Sequence, residues 1–181
     1  MPIEVVAYDP GWPERFVVIR AAIADALGDI PAATIEHVGS TSVPGLAAKP
    51  VIDVDVVVER SDLGRAIDAL ERIGYRHRGD LGIPDRHALA APDDGTRRNV
   101  YVVVNGSLAL RNHLAVRDAL RSSGSLRDRY AALKCGLASG TDDIDMYISG
   151  KTRFLLDILG DAGFTDDELA AIEEANGSAQ R

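Results

Sequence analysis

The chain of 181 residues is short of several things, and each shortage closes a class of explanation. It has one cysteine, Cys135, so it forms no internal disulfide and no cysteine-rich zinc site. A lone thiol within a helical pattern reads as a core residue rather than a nucleophile. No run approaches the ~18 consecutive apolar residues of a membrane-spanning helix, and no basic start precedes an apolar block. The expectation is a cytoplasmic protein with no membrane partner. The formal net charge of −8 argues against a general nucleic-acid binder. A nucleotide substrate stays compatible, because a metal ion can carry positive charge. Nucleophile-elbow, P-loop and dinucleotide-binding patterns are missing, and no internal repeat appears. What remains is 46% hydrophobic and 27% charged, ordinary for a globular chain long enough to bury one core.

Periodicity gives the order of elements. Ile3 to Ala7 reads as a short edge strand. Trp12 to Leu27 carries helical spacing at Phe16, Ile19, Ile23 and Leu27, with Pro13 at its start and Gly28 as its stop. Ala33 to Val38 and Pro50 to Val58 read as strands. Ser61 is a candidate cap for a helix striped by Leu63, Ile67, Leu70 and Ile73 and ended by Gly74. Tyr75 to Arg78 suggests a short strand, and Arg86–Ala90 with Asn99–Val104 a β-hairpin. Four helices follow, at about 108–122, 126–138 and 143–160, and from Thr165. Thr165-Asp166-Asp167-Glu168 is a capping box, and Asn176-Gly177-Ser178 is expected to fray. The expected class is α+β: a mixed sheet with helices mainly on one face, closed by a C-terminal helical region.

The chemistry concentrates between His37 and Val58. Gly39-Ser40-Thr41-Ser42 is a loop of small residues whose backbone can approach a ligand closely. With twelve residues between Ser40 and Asp53, a β-branched strand follows that is interrupted only by Asp53 and Asp55. Residues two apart on a strand share a face, so the two carboxylates project together. They repel, and a divalent cation is the simplest partner. A nucleoside triphosphate needs N–H groups and hydroxyls around its phosphates and carboxylates holding magnesium across them, and this stretch supplies both. Mg2+, or Mn2+, is therefore the expected cofactor. Taken singly, the loop could be a plain turn and the acids a solvated strand face.

Only three lysines stand against seventeen arginines: Lys49, Lys134 and Lys151. Lys49 lies just before the acid-bearing strand. Lys151 falls in the apolar stripe Ile144, Tyr147, Ile148, Leu155, Ile158, where it either snorkels outward or points at an anion. Arg117, between Leu114 and Leu120, poses the same question. For Lys134 the structural reading is the better one. His37, His87 and His113 lack the spacing of a zinc motif and read as hydrogen-bonding residues.

His37-Val38-Gly39-Ser40-Thr41-Ser42-Val43-Pro44-Gly45-Leu46, followed by Lys49-Pro50 and Asp53-Val54-Asp55, resembles the GrpB family of the nucleotidyltransferase-fold superfamily. The likeness covers nearly the whole chain. It includes Tyr8-Asp9-Pro10 with Trp12-Pro13 and Phe16, Arg111-Asn112-His113-Leu114 with Arg117-Asp118, Tyr130 to Lys134, and Tyr147 with Lys151. It implies one domain over 1–181, with a nucleotidyltransferase-like core to about 105 and a helical portion over about 107–176. That superfamily often has a third carboxylate on a later strand. Here Asn99-Val100-Tyr101-Val102 occupies that strand without an acid, and Arg98 and Asn99 stand where related sequences tend to have histidine. His87, Asp85 and Asn99 are the candidates to complete the site.

The leading expectation is a metal-dependent nucleotidyltransferase that moves a nucleoside monophosphate from a triphosphate to a small-molecule acceptor. Gly39, Ser40, Thr41, Ser42, Lys49, Arg117 and Lys151 would hold phosphates, and Asp53 and Asp55 the metal and the chemistry. His37, His87, Asn99, Tyr101, His113 and Lys134 form a second rank. The alternative is a noncatalytic, regulatory ligand-binding domain, linked through fused relatives to coenzyme A metabolism. Oligomeric state is left open.

Overall fold

The computed structural model describes residues 4–140 and 143–178. Its elements run α1 (Trp12–Leu27), β1 (Thr34–Val38), β2 (Ile52–Val58), α2 (Leu63–Arg72), β3 (Arg76–His77), β4 (Arg86–Ala90), β5 (Arg98–Val104), α3 (Leu108–Ser122), α4 (Gly124–Gly140), α5 (Ile144–Asp161) and α6 (Asp166–Ser178). The five strands form one mixed sheet in the order β1-β2-β5-β4-β3, in which only β2 and β5 run parallel.

Alternation along β2 organises everything else. Ile52, Val54, Val56 and Val58 pack with Val100 and Val102 of β5 against Ile19, Ile23 and Leu27 of α1 and Ala66, Ile67, Ala69 and Leu70 of α2. Each valine, leucine and isoleucine among them contributes about 1.5–3 kcal/mol on full burial. The odd positions Asp53, Asp55 and Val57 face the other way, toward the C-terminal helical region. There Leu110 and Leu114 of α3 pack on Val57, Val103 and Tyr101. Val43 and Leu46 of the β1–β2 loop are buried against Leu120, Tyr130 and Ile158 of α3, α4 and α5. The acids therefore lie between sheet and helices.

Some local expectations change. The strand expected at Ile3–Ala7 is a single bridge between Val6 and Ala48, and Ile3 lies outside the described residues. Ser61 does not cap α2. A 3-10 turn over Arg60–Asp62 leads in, Asp62 takes the cap position, and its carboxylate binds Arg65 at 2.6 Å instead of the helix end. Ile73, expected in the apolar stripe, is 39% exposed because the helix has already ended. Cys135 is exposed on α4, not core. The side chain of Ile144 lies outside the described residues. The capping box forms, with Glu168 N–H donating to Thr165 Oγ1 and Thr165 N–H to Glu168 Oε2. α6 continues through Asn176 and Gly177 rather than stopping short of them.

Candidate functional site

β1 ends at Val38, opposite Asp53. Gly39 then takes φ +67°, and a Cβ there would lie 2.8 Å from the Asp53 Cγ and closer still to its Oδ2. Only glycine fits both the dihedral and the space. Ser40–Ser42 turn tightly. Ser42 Oγ donates to Gly39 O at 2.7 Å and Thr41 Oγ1 to Val51 O at 3.1 Å. Basic side chains from the helical region hold the rest of the loop. Arg121 donates twice to Ser42 O, Arg127 to Pro44 O, and Lys134 Nζ to Ala47 O and to Ser40 Oγ.

Asp53 Oδ1 accepts from Asn99 Nδ2 at 2.8 Å, its register partner on β5. Burial pushes the Asp53 carboxyl up, against the opposing effects of Asn99 and His113. Asp55 is fully buried, with Oδ2 bound to His113 Nδ1 at 2.7 Å. Burial pulls His113 down, but the charge and hydrogen bond of Asp55 outweigh it and leave the imidazole above its ordinary value. The second carboxylate oxygen, Asp55 Oδ1, has no partner. Among the described residues only Trp12 Nε1, Asp55 Oδ1 and Arg86 Nε are buried side-chain polar atoms of this kind. Leaving one unpaired costs about 1–3 kcal/mol, more for a charged group.

Position 99, where a third acid would stand, is asparagine, and position 101 is a tyrosine against His113. Glu36 faces Asp55 from β1, but Arg117 holds it at 2.7 Å. No three His, Cys, Asp or Glu side chains are grouped so as to hold a metal ion by themselves among the described residues. Magnesium is commonly held by one or two carboxylates, with phosphates and water completing the shell. Asp53 and the unpartnered oxygen of Asp55 fit that pattern.

In front of Asp53 lies a cavity of about 690 Å³, and every lysine of the chain lines it. Lys49 and Lys151 place their ammonium groups 4.9 and 4.4 Å from the centroid of the buried Tyr147 ring. Lys134 is 1% exposed. None of the three has a carboxylate within ion-pair distance among the described residues. Desolvation lowers all three, reinforced by the neighbouring cations: Lys151 to about 8 and Lys134 to about 7. Ser40, Thr41, Asp93, Thr96, Arg97, Arg98 and Asn99 complete the polar wall. Uncompensated cations in a cleft are what a polyanionic ligand would relieve.

Several sequence candidates have other partners. Arg117 is bound to Glu36, Asp118 and His37 O. His87 points to the opposite face of the sheet, paired with Val102 in register and with His77 at 3.0 Å. Asp85 is held by Arg60. His37 also faces away from the acids, stacked on Phe16 and bonded through Nε2 to Thr41 Oγ1. Desolvation, helped by Arg121 and Arg117, lowers its pKa from 6.5 to about 4. Because the unfolded state takes up that proton at higher pH, the contribution is complete above 6.5 and lost as pH falls toward 4. Thermal unfolding between pH 7 and 4 should cost wild type about 2–3 kcal/mol more than His37→Gln. Equal losses would remove His37 from the acid response. Arg121 and Arg127, which hold the loop, carry no signal in the sequence beyond basic spacing along helices.

The family model described as "GrpB protein" matches residues 2–161. A UPF0157 protein of Halalkalibacterium halodurans is 36% identical over 168 residues, covering 90% of this chain and 84% of the relative. A dephospho-CoA kinase of Mycolicibacterium paratuberculosis is 29% identical, over 86% of this chain but 45% of its own length. The crystal structure of the conserved protein GrpB from Enterococcus faecalis superposes with a TM-score of 0.77 at 34% identity, covering 88% of this chain and 96% of that one. The Cid1 poly(U) polymerase, solved with magnesium and 3'-dATP, gives a TM-score of 0.51 at 14% identity over 72% of this chain and 42% of its own. That likeness is one of fold.

Proposed function

Since the chain belongs to the GrpB family and shares its fold with a nucleotidyl-transferring polymerase, we propose that it is a metal-dependent nucleotidyltransferase acting on a small-molecule acceptor. The observation that carries this reading is the convergence of all three lysines, without ion-pair partners among the described residues, on the cavity that opens onto Asp53. Lys49, Lys134 and Lys151 bind the triphosphate, and Ser40 sets its near edge. Asp53 and Asp55 Oδ1 would hold Mg2+ or Mn2+, which when bound would neutralise charge on the triphosphate and the departing pyrophosphate. The acceptor oxygen forms a bond to the α-phosphorus as the bond to the bridging oxygen breaks. The hydroxyl proton passes to the Asp53 carboxylate, which faces the cavity.

Calorimetric titration of ATP, GTP, CTP and UTP with and without Mg2+ or Mn2+ tests the reading. No metal-dependent binding of any of them would sink it. Affinity should also depend on pH in one direction. Phosphates prefer the protonated lysines, so binding is tightest below pH 7 and falls as pH rises through about 7 and 8, where Lys134 and Lys151 lose their protons. A drop of roughly tenfold or more between pH 7 and 9 is expected, flattened in Lys151→Arg. A flat wild-type profile would remove these lysines from the phosphate site.

The Asn99–Asp53 hydrogen bond favours a second reading, a regulatory domain that binds nucleotide without turnover. Metal-dependent binding with no pyrophosphate released across an acceptor panel would select it.

A further inference from the structure

A second cavity, of about 240 Å³, shares Ser40, Asp53 and Lys151 with the lysine-lined one and runs beneath α3 and α6. A third, of about 200 Å³, shares Asn112, His113, Ile172 and Asn176 with the second and ends at Arg86. The three stand in series, with Asp53 between the first and second. The walls of the inner two are mixed: Val116, Leu155 and Ile172 are apolar, while Asn112 and Asn176 offer side-chain amides with no hydrogen-bond partner among the described residues. Together the two spaces equal about fifteen water volumes, the scale of a small metabolite.

Arg86 is the unusual member. Register on β4 turns it to the same face as Tyr101, and its guanidinium lies 4.6 Å from the centroid of that ring. It makes no side-chain hydrogen bond or ion pair among the described residues, and its Nε is buried without a partner. The one carboxylate lining this cavity, Asp85, is already held by Arg60 at 2.7 Å, while Asp55 and Asp80 favour the charge of Arg86 through space without an ion pair to it among the described residues. A half-buried guanidinium with open donors at the end of such a mixed passage is suited to a planar anion.

We propose that this passage is the acceptor site, and that the acceptor is a small hydroxylated molecule carrying an anionic group, carboxylate or phosphate, held by Arg86. The amides of Asn112 and Asn176 bind its middle, and its hydroxyl reaches Asp53. The hydroxyl's role rests on the nucleotidyl-transfer reading above; the anion's binding at Arg86 does not.

Ligand-detected NMR and calorimetry without nucleotide test the anion site. The probes are glycerol, glycerate and glycerol 3-phosphate, and ribose, ribonate and ribose 5-phosphate. Anionic members of one or both sets should bind at least tenfold tighter than their neutral parents, and the carboxylate and phosphate arms show which anion is preferred. Arg86→Gln should weaken that binding tenfold or more, and Ala175→Trp, which fills the Arg86 end, should block it. Arg20→Gln, on the exposed face of α1, should leave it unchanged. Thermal melts confirm that each variant is folded. No anionic binding, equal binding of the neutral parents, or binding indifferent to both Arg86→Gln and Ala175→Trp would overturn the proposal. If ATP fails to bind while the Arg86-dependent anions still do, the nucleotide reading falls and the anion site stands.

Discussion

Nucleotide with magnesium is expected to stabilise the wild-type protein, and replacing Asp55 with asparagine is expected to abolish that stabilisation. A ligand at a hundred times its dissociation constant adds about 2.7 kcal/mol to the folded state. In a chain of this size that raises the melting temperature by about 5–10 °C. Asp55→Asn and Asp53→Asn should show no such rise, and turnover in either should fall by about 10²–10³-fold, the scale set by losing one group that stabilises developing charge. Without ligand, the Asp55 variant should melt within a few degrees of wild type. Two effects oppose there: the substitution removes a buried charge with one unpaired oxygen, and it weakens the hydrogen bond to His113. Differential scanning fluorimetry with and without Mg·ATP separates the cases. A full nucleotide-dependent shift in both variants would take the acids out of the site.

Gly39→Ala should be nearly as damaging, for a different reason. An alanine must hold φ near +67°, at a cost of about 1–2 kcal/mol, and its methyl would overlap the Asp53 carboxylate. Moving that carboxylate by about an ångström is expected to lower turnover about 10²-fold. Gly163→Ala is the control. Gly163 also has a positive φ, at +88°, but nothing lies within 4 Å of the added atom. It should lose comparable stability and no activity. Equal activity in both variants would show that Gly39 serves only the turn.

Much of this architecture could be read from the residues alone. Alternation put Asp53 and Asp55 on one face of β2, and turn chemistry put Gly39 and Ser40 beside them; both are local relations, set by a period of two and a short loop. The helices carried clear apolar stripes and stops. Other features were hidden because they depend on where distant segments meet. Arg117 has the sequence context of a phosphate ligand, yet Glu36, far away on β1, neutralises it. Lys134 read as structural; it does hold Ala47 O and Ser40, and it also lines the cavity. His87 was excluded by strand parity, which follows only once the β4–β5 register is known. Arg86 carried no signal, because an open guanidinium is defined by the partners it lacks.

The clamps on the loop after Gly39 set an order of assembly. Ser42, Pro44 and Ala47 each present a carbonyl to a basic side chain lying 79, 83 and 87 residues further along. During synthesis the loop is made early, but α3 and α4 must be complete before those carbonyls find their donors. Contacts this distant in sequence form late, after the local helices and hairpin. A nascent chain halted after β5 would therefore have all five strands, both acids and the local turn at Ser40–Ser42, yet none of the helical clamps that hold the rest of the loop. The candidate site is completed by α3, α4 and α5, which follow every strand of the sheet.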